Sequence, residues 1–257
     1  MYYIIQENVF KDPRYDEIFE VLDSLKLPYE KVRFIPNSDT FQFKTNRKDI
    51  FVYGSVKLAR IAKKYYWNPG SFYGGNHESE NYLKGFGENV LNFKSKIIRI
   101  SDTIDWELNP ELFIKPAIAA KIFTGKVFNK YSWEDFLEEN LKGGKNRYIN
   151  SETIIQIAKP EKLIKEARIW IVNNEIVTSS YYKFHGDIPY EETVSKDGIA
   201  FAEKMIKKYH VADAYVMDIV FTSNGWKIME VNCINSAGFY KADIRKIIIA
   251  LEKFYKN

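Results

Sequence analysis

Residues 216–232 read VMDIVFTSNGWKIMEVN, and this stretch decides how the C-terminal part of the chain folds. Two apolar runs, Val216–Phe221 and Trp226–Val231, flank Ser223–Asn224–Gly225. A three-residue loop with Gly in the left-handed position is a common hairpin connection. Centring the loop on Asn224 pairs Thr222 with Trp226, Val220 with Ile228 and Asp218 with Glu230. Strand side chains alternate faces, so Asp218, Glu230 and Asn232 project from one side. Like charges directly opposite one another destabilise a sheet, and the flanking Met217, Ile219, Met229 and Val231 keep water from relieving the repulsion. Two readings follow. Two carboxylates and an amide oxygen suit Mg²⁺, which keeps a few protein ligands and takes the rest from water and phosphates. Alternatively, one acid is protonated, or a Lys or Arg from another element pairs with it. The third oxygen, at Asn232, favours the metal.

A second hairpin lies upstream. Glu166–Val172 and Glu175–Tyr181 flank Asn173–Asn174, a two-residue turn whose Asn side chains tolerate positive φ. Its simplest register pairs Arg168 with Ser179 and Glu166 with Tyr181, and places Glu166, Arg168 and Trp170 on one face. An arginine inside so apolar a strand suggests a fixed cation presented to an anion. The alternative is an Arg168–Glu166 ion pair on a wet face.

The segment ELFIKPAIAAKIFTG, residues 111–125, is unusual for where its lysines fall. Pro116 holds Lys115 extended at a strand end, and Lys121 follows the small-residue stretch Ala117–Ala120. Lysines so anchored can act as point charges on phosphates, and in isolation either one also reads as a solvated side chain.

The rest of the chain frames these features. Tyr2–Gln6 and Ile50–Tyr53 read as strands, Asp12–Lys26 and Val56–Tyr65 as helices, and Pro28 restarts an extended stretch through Val32 and Phe34. That rhythm implies a small α/β unit with parallel strands. Further on, Ile97–Ile100, Leu112–Lys115, Ile122–Phe128 and Ile154–Ile157 read as strands, and Trp133–Leu141 as a helix capped by Ser132. A helix lies within Tyr190–Tyr209. Asp243–Tyr255 is amphipathic, with Ile244, Ile247, Ile248, Leu251 and Phe254 on one stripe.

Of 257 residues, 46% are apolar and 28% charged, which excludes general disorder. The net charge of +4 is spread among interspersed acids and bases, and this argues against a nucleic-acid partner. One cysteine, Cys233, excludes an intrachain disulfide and a multi-Cys zinc site and points to a reducing, cytoplasmic compartment. No apolar run reaches the length of a membrane span, and the N-terminus lacks the features of a signal peptide.

Taken in order, FIKP with Lys121, then TIIQIAKP (153–160), then Glu166-x-Arg168, then MDI (217–219) and MEVN (229–232), the chain resembles the ATP-grasp superfamily. It is most similar to the clade, frequent in phages and bacteria, named for one arginine and two lysines. VLN (90–92) and AGFY (237–240) also look like that clade. The resemblance implies an α+β fold of two lobes with ATP between them, residues 96–160 and 161–257, preceded by an N-terminal α/β domain over 1–95. It implies that Lys115 contacts the α- and β-phosphates and that Lys121 reaches the β/γ region. Gln156, Ile157, Ala158 and Lys159 would read the adenine edge, Glu166 would meet the ribose, and Arg168 would stabilise the transferring phosphoryl group. Asp218, Glu230 and Asn232 would hold Mg²⁺. The glycine-rich flap of better-known relatives is replaced by AIAAKIFTG, so phosphate cover falls to Lys121 and a shorter turn.

The implied activity is Mg·ATP-dependent ligation, in which a carboxylate of a small molecule or peptide is activated as an acyl phosphate and attacked by an amine or similar nucleophile. A phosphotransferase on the same fold would use the same ATP and Mg²⁺ sites, and a non-catalytic binding module would need neither. An RNA-ligase-type lysine is disfavoured by the sequence, because Lys121–Gly125 misses the K-x-D/N-G spacing and its acid. His77, His185 and His210 are too scattered for a zinc site. His185 and His210 remain the candidates for a general base.

Overall fold

The computed structural model describes residues 1–7, 9, 14–34, 43–117, 122–146, 148–184 and 193–255. In chain order the elements are β1 (Tyr2–Gln6), α1 (Glu17–Ser24), β2 (Tyr29–Val32), β3 (Ile50–Tyr53), α2 (Val56–Lys64), α3 (Ser79–Phe86), β4 (Lys96–Arg99), β5 (Leu112–Pro116) and β6 (Lys126–Phe128). There follow α4 (Lys130–Leu137), β7 (Ile154–Ala158), β8 (Leu163–Val172), β9 (Glu175–Phe184), α5 (Lys196–Lys208), β10 (Ala214–Thr222), β11 (Gly225–Cys233) and α6 (Ile244–Tyr255). By contacts the chain divides into two compact units, 1–89 with 163–257, and 90–162. Residues 1–89 thus share one compact unit with residues 163–257.

In the larger unit a parallel sheet, β2-β1-β3, carries the N-terminal strands. Period-two alternation splits its side chains between two cores. Ile4, Ile50 and Val52 pack under α2 with Leu58, Ala62 and Trp67. Tyr3, Ile5, Phe51 and Tyr53 face the opposite way. There they meet Ile18 and Leu22 of α1, the Ile244–Leu251 stripe of α6, and Trp170 and Val216 from the second sheet. That sheet is antiparallel, in the order β11-β10-β8-β9. The Asp243 side chain accepts the Lys246 N–H at 3.0 Å and starts α6. The other side of the second sheet lies under α5, which touches β9 and β10 and buries Ala202 and Met205.

Asn235, fully buried, ties the two sheets together. Its Nδ2 donates to the Val52 carbonyl at 2.6 Å and to that of Gly70 at 3.2 Å. Its Oδ1 accepts the Phe72 N–H at 2.9 Å and the Cys233 thiol at 3.0 Å. Its own carbonyl takes the Gly54 N–H at 2.7 Å.

The smaller unit is an antiparallel sheet, β4-β7-β5-β6, packed on α4 through Ile114, Phe128, Trp133 and Ile155. Asn129, not Ser132, is the N-cap of α4. The Asn129 side chain accepts the Ser132 N–H at 2.9 Å, and the Ser132 hydroxyl accepts the Asn129 N–H at 3.0 Å. Placing the cap three residues later mistakes the reciprocal partner of a capping box for the cap itself. The helix ends at Leu137 and continues as a turn of π pitch over Glu138–Lys142. The strand expected over Ile122–Phe128 is confined to Lys126–Phe128, and α1 begins at Glu17. The helix α3 went unread in the sequence, because Gly85 near its end weakens the helical pattern.

Replacing Asn235 by Ala leaves buried Val52, Gly70 and Phe72 backbone groups without their partner. Unfolding in urea should show a loss of about 3 kcal/mol, and a loss below about 1 kcal/mol would remove Asn235 as the tie between the sheets.

Candidate active site

The hairpin of residues 216–232 forms, but by a different route from the one expected. Its turn is two residues long in the ladder, with Thr222 opposite Gly225, Phe221 opposite Trp226, Val220 opposite Lys227 and Ile219 opposite Ile228. Gly225 sits at φ +90, outside the range that side-chain-bearing residues favour. The shorter turn slips the ladder by one residue, which by itself would carry Glu230 away from Asp218. A bulge at Met229 restores the register, and Asp218 faces Glu230.

The second hairpin departs in a similar way. Asn173 and Asn174 have φ of 52° and 60°, as a two-residue primed turn requires. A bulge at Val177 then pairs Arg168 with Ser180 instead of Ser179, and a second at Tyr182 pairs Glu166 with Lys183 instead of Tyr181.

Because β8 and β11 flank β10, Arg168, Asp218 and Glu230 form one row across three adjacent strands. One pair further along, the same face carries Trp170 and Val216, which belong to the closed core. The apolar face therefore gives way to charge within a single strand step. Arg168 and Asp218 are 7% and 1% exposed. Their pairing is bidentate, with Arg168 Nε to Asp218 Oδ1 and Nη2 to Oδ2 both at 2.8 Å. Nη1 donates to the Gly238 carbonyl at 3.2 Å. Burial alone would push the guanidinium pKa down; the Asp218 carboxylate outweighs burial and holds it above the ordinary arginine value. Asn232 Nδ2 donates to Glu230 Oε1 at 2.9 Å and to Asp218 Oδ2 at 3.4 Å. Glu166, also buried, meets Lys183 at 3.1 Å, so the Arg168–Glu166 pair that the sequence left open is not the one formed.

The structure thus brings Arg168, Asp218, Glu230 and Asn232 into one hydrogen-bonded cluster, with Glu166 on the same strand as the arginine. Of the two sequence readings of Asp218, the cross-strand arginine is observed. Among the described residues no group of three or more His, Cys, Asp or Glu could hold a metal. The cluster has two acids and an amide. A carboxylate offers about four lone-pair sites, and Arg168 takes one on each Asp218 oxygen. The remaining sites, Glu230, and the Asn232 amide turned to present Oδ1 make an oxygen donor set that fits Mg²⁺.

Of the other expected residues, Lys115 and Gln156–Lys159 lie in the smaller unit. Lys115 and Gln156 are register partners on β5 and β7, as are Ile114 with Ile157 and Phe113 with Ala158. Gln156 is anchored by Nε2 donating to Ser95 Oγ at 2.6 Å. A Cβ on Gly125 would lie 2.8 Å from that of Lys115, so the absence of a side chain there lets the chain pass close by. Lys159 follows the end of β7 and is exposed. Lys121 and His185 lie outside the described residues. His210 is exposed, with Nδ1 at 3.2 Å from Asn174 Oδ1, and is not among the residues of the row. Sequence reasoning missed Tyr182 and Tyr240, which stack with ring centroids 4.7 Å apart beside Arg168. The only sequence signal for either is the AGFY stretch shortly after Asn232.

A family described as an ATP-grasp domain, family 3 of the clade named for one arginine and two lysines, matches residues 77–251, more than half of the chain. The chain belongs to that family. No curated protein matches it by sequence. Among solved structures, the ATP-grasp ligase PsnB complexed with a minimal precursor is similar over 98% of both chains, at 11% identity and a TM-score of 0.63. D-alanine–D-alanine ligase from Bacillus anthracis is similar over 98% of this chain and 92% of its own, at 12% identity and 0.61. D-cycloserine synthetase DcsG is similar over 99% of both, at 7% identity and 0.64. At these identities the likeness is one of fold, and the fold is ATP-grasp.

Two measurements check the buried pair and the burial of the neighbouring thiol. Arg168→Met strands a buried carboxylate and should destabilise the protein by about 3 kcal/mol, whereas Arg168→Met with Asp218→Leu should recover most of that. An unchanged urea midpoint in the single variant would contradict the buried pairing. Burial also pushes the Cys233 thiol from an ordinary 9.0 up to about 12, which lowers its thiolate fraction at pH 8 about a thousandfold. A disulfide-exchange reagent at pH 8 should therefore leave the folded protein untouched and titrate one thiol after unfolding. Rapid reaction of the native protein would overturn this.

Proposed function

We propose that the chain is an Mg·ATP-dependent ligase of the ATP-grasp type, which joins a carboxylate to an amine or similar nucleophile through an acyl phosphate. The observation that carries this reading is the row of Arg168, Asp218 and Glu230 across three adjacent strands, with Arg168 and Asp218 buried and Asn232 hydrogen-bonded to both acids, in a chain of the ATP-grasp family. The similarity in fold to PsnB, solved with a precursor peptide and AMPPNP, supports a peptide or small-molecule acceptor. Within this reading, bound Mg·ATP supplies the phosphoryl group and neutralises its charge in transfer.

The chain's own residues would do the following. Asp218, Glu230 and Asn232 offer oxygens to the cation. Arg168 has five N–H donors, of which Asp218 and Gly238 take three; the other two would meet the anionic group that gains charge in the transition state. Because that guanidinium is already desolvated and fixed, it reorganises little when charge develops. Lys115 and Lys121 would bind phosphates, Gln156–Lys159 would accept the base through the backbone, and Glu166 would meet the ribose. No described helix is long and apolar enough to cross a membrane.

Calorimetry should show ATP binding that needs Mg²⁺ and disappears with EDTA. Glu230→Ala should weaken the Mg²⁺-dependent part by about tenfold or more while the melting temperature stays near wild type. Absence of ATP binding by the wild type with Mg²⁺ present would sink the proposal. Product analysis separates the chemistries: a ligase releases ADP and free phosphate with a new amide, whereas a phosphotransferase leaves a stable phosphate ester.

A further inference from the structure

We propose that Tyr182 and Tyr240 are positioning residues for Arg168: their stacked rings hold the guanidinium so that its two remaining N–H donors stay aimed at the anionic group of the substrate. This deepens, and rests on, the role given to Arg168 above. The two rings are inclined by 17°, and Arg168 Cζ lies 4.9 Å from the Tyr240 centroid and 6.0 Å from that of Tyr182. Asp218 fixes one edge of the guanidinium and Gly238 one further N–H, but hydrogen bonds in the plane do not restrain tilting out of it. An aromatic face does, and it suits the weakly hydrated, planar cation.

Two separate backbone irregularities turn these rings onto the same group. Tyr182 is the extra residue of a bulge in β9, left between Ala167↔Tyr181 and Glu166↔Lys183. Bulges re-aim a side chain and gather near active sites. Its hydroxyl lies 3.9 Å from the sulfur of Met229, itself the extra residue of the bulge in β11.

Tyr240, on another segment, adopts φ +52, which a bulky residue seldom does. Its surroundings impose that conformation. Arg14 Nη1 donates to the Tyr240 carbonyl at 3.0 Å and to that of Ala242 at 3.3 Å, and Arg14 is gripped by Glu17 at 2.7 and 2.6 Å. The next N–H, of Lys241, donates to the buried Ser180 hydroxyl at 3.1 Å, and Ser180 is the register partner of Arg168. Strained conformations persist only where the neighbourhood over-determines them, and they cluster at functional sites. A solvent-facing or merely space-filling tyrosine would need none of this.

The test compares Tyr240→Gly with Tyr240→Phe. Glycine relieves the positive φ, so its fold is retained while the ring is lost; phenylalanine keeps the ring. One readout is solvent exchange of the Arg168 Nε–H by NMR, which involves no nucleotide. The other is the ratio of ATP to ADP affinity with Mg²⁺. In Tyr240→Gly the exchange should speed up and the ATP preference should fall, each by about tenfold, and Tyr240→Phe should keep both within about twofold. A Tyr240→Gly protein that melts like wild type with both readouts unchanged would overturn the proposal. If wild type binds neither nucleotide, the ligase reading falls, and the exchange measurement alone decides the positioning role: unchanged exchange refutes it, faster exchange supports it.

Discussion

The buried bidentate pair between Arg168 and Asp218 is the contact on which the rest of this site depends. Two charges removed from water cost several kcal/mol each, and only short, doubly hydrogen-bonded geometry offsets that. Such geometry requires β8 and β10 to be adjacent and in one register, because a slip of one residue would send either side chain to the other face. The pair therefore works as a register lock. With Asp218 held from the β8 side, Glu230 and Asn232 on the β11 side are drawn toward it by the Asn232 amide, and the charged row closes without a free like-charge contact.

What surrounds the row serves the same end. Trp170 and Val216 seal the inner side of the face, so the charges meet a low-dielectric wall in which electrostatic contacts are stronger than in water. Beyond β11 the chain runs directly into Asn235, whose amide joins the antiparallel sheet to the parallel one. From there Phe239 stacks on Tyr53 with centroids 4.9 Å apart, and the Tyr53 hydroxyl donates to the Ala237 carbonyl. The N-terminal sheet is in this way built into the wall of the cluster, which explains why residues 1–89 and 163–257 form one compact unit.

Much of this was legible beforehand, and for a definite reason. Tyr2–Gln6 and Ile50–Tyr53 are strands with the bounds read from apolar runs, and the parallel pairing follows from the helices between them. The α6 stripe is buried as its spacing implied. The facing of Asp218 and Glu230 is observed too, though the ladder reasoning behind it was wrong on two counts that cancel. A three-residue loop without a bulge and a two-residue turn with a bulge at Met229 give the same partners from Asp218 outward and different partners at every pair nearer the turn. Bulges depend on cross-strand packing and sheet twist, which a single strand's sequence does not express.

The sequence alone marked the N-terminal parallel strands, the two C-terminal hairpins and the α6 stripe, and placed Asp218, Glu230 and Asn232 on one hairpin face and Glu166 with Arg168 on another. Those properties arise from periodicity and turn chemistry, which act over a few residues. Only the tertiary structure decided that Arg168 pairs with Asp218 instead of Glu166, and that Tyr182 and Tyr240 stack beside that arginine. These outcomes rest on strand order and on three bulges. Strand order is a choice among distant segments competing for the same edges, and it is settled by the packing of the whole sheet against its helices.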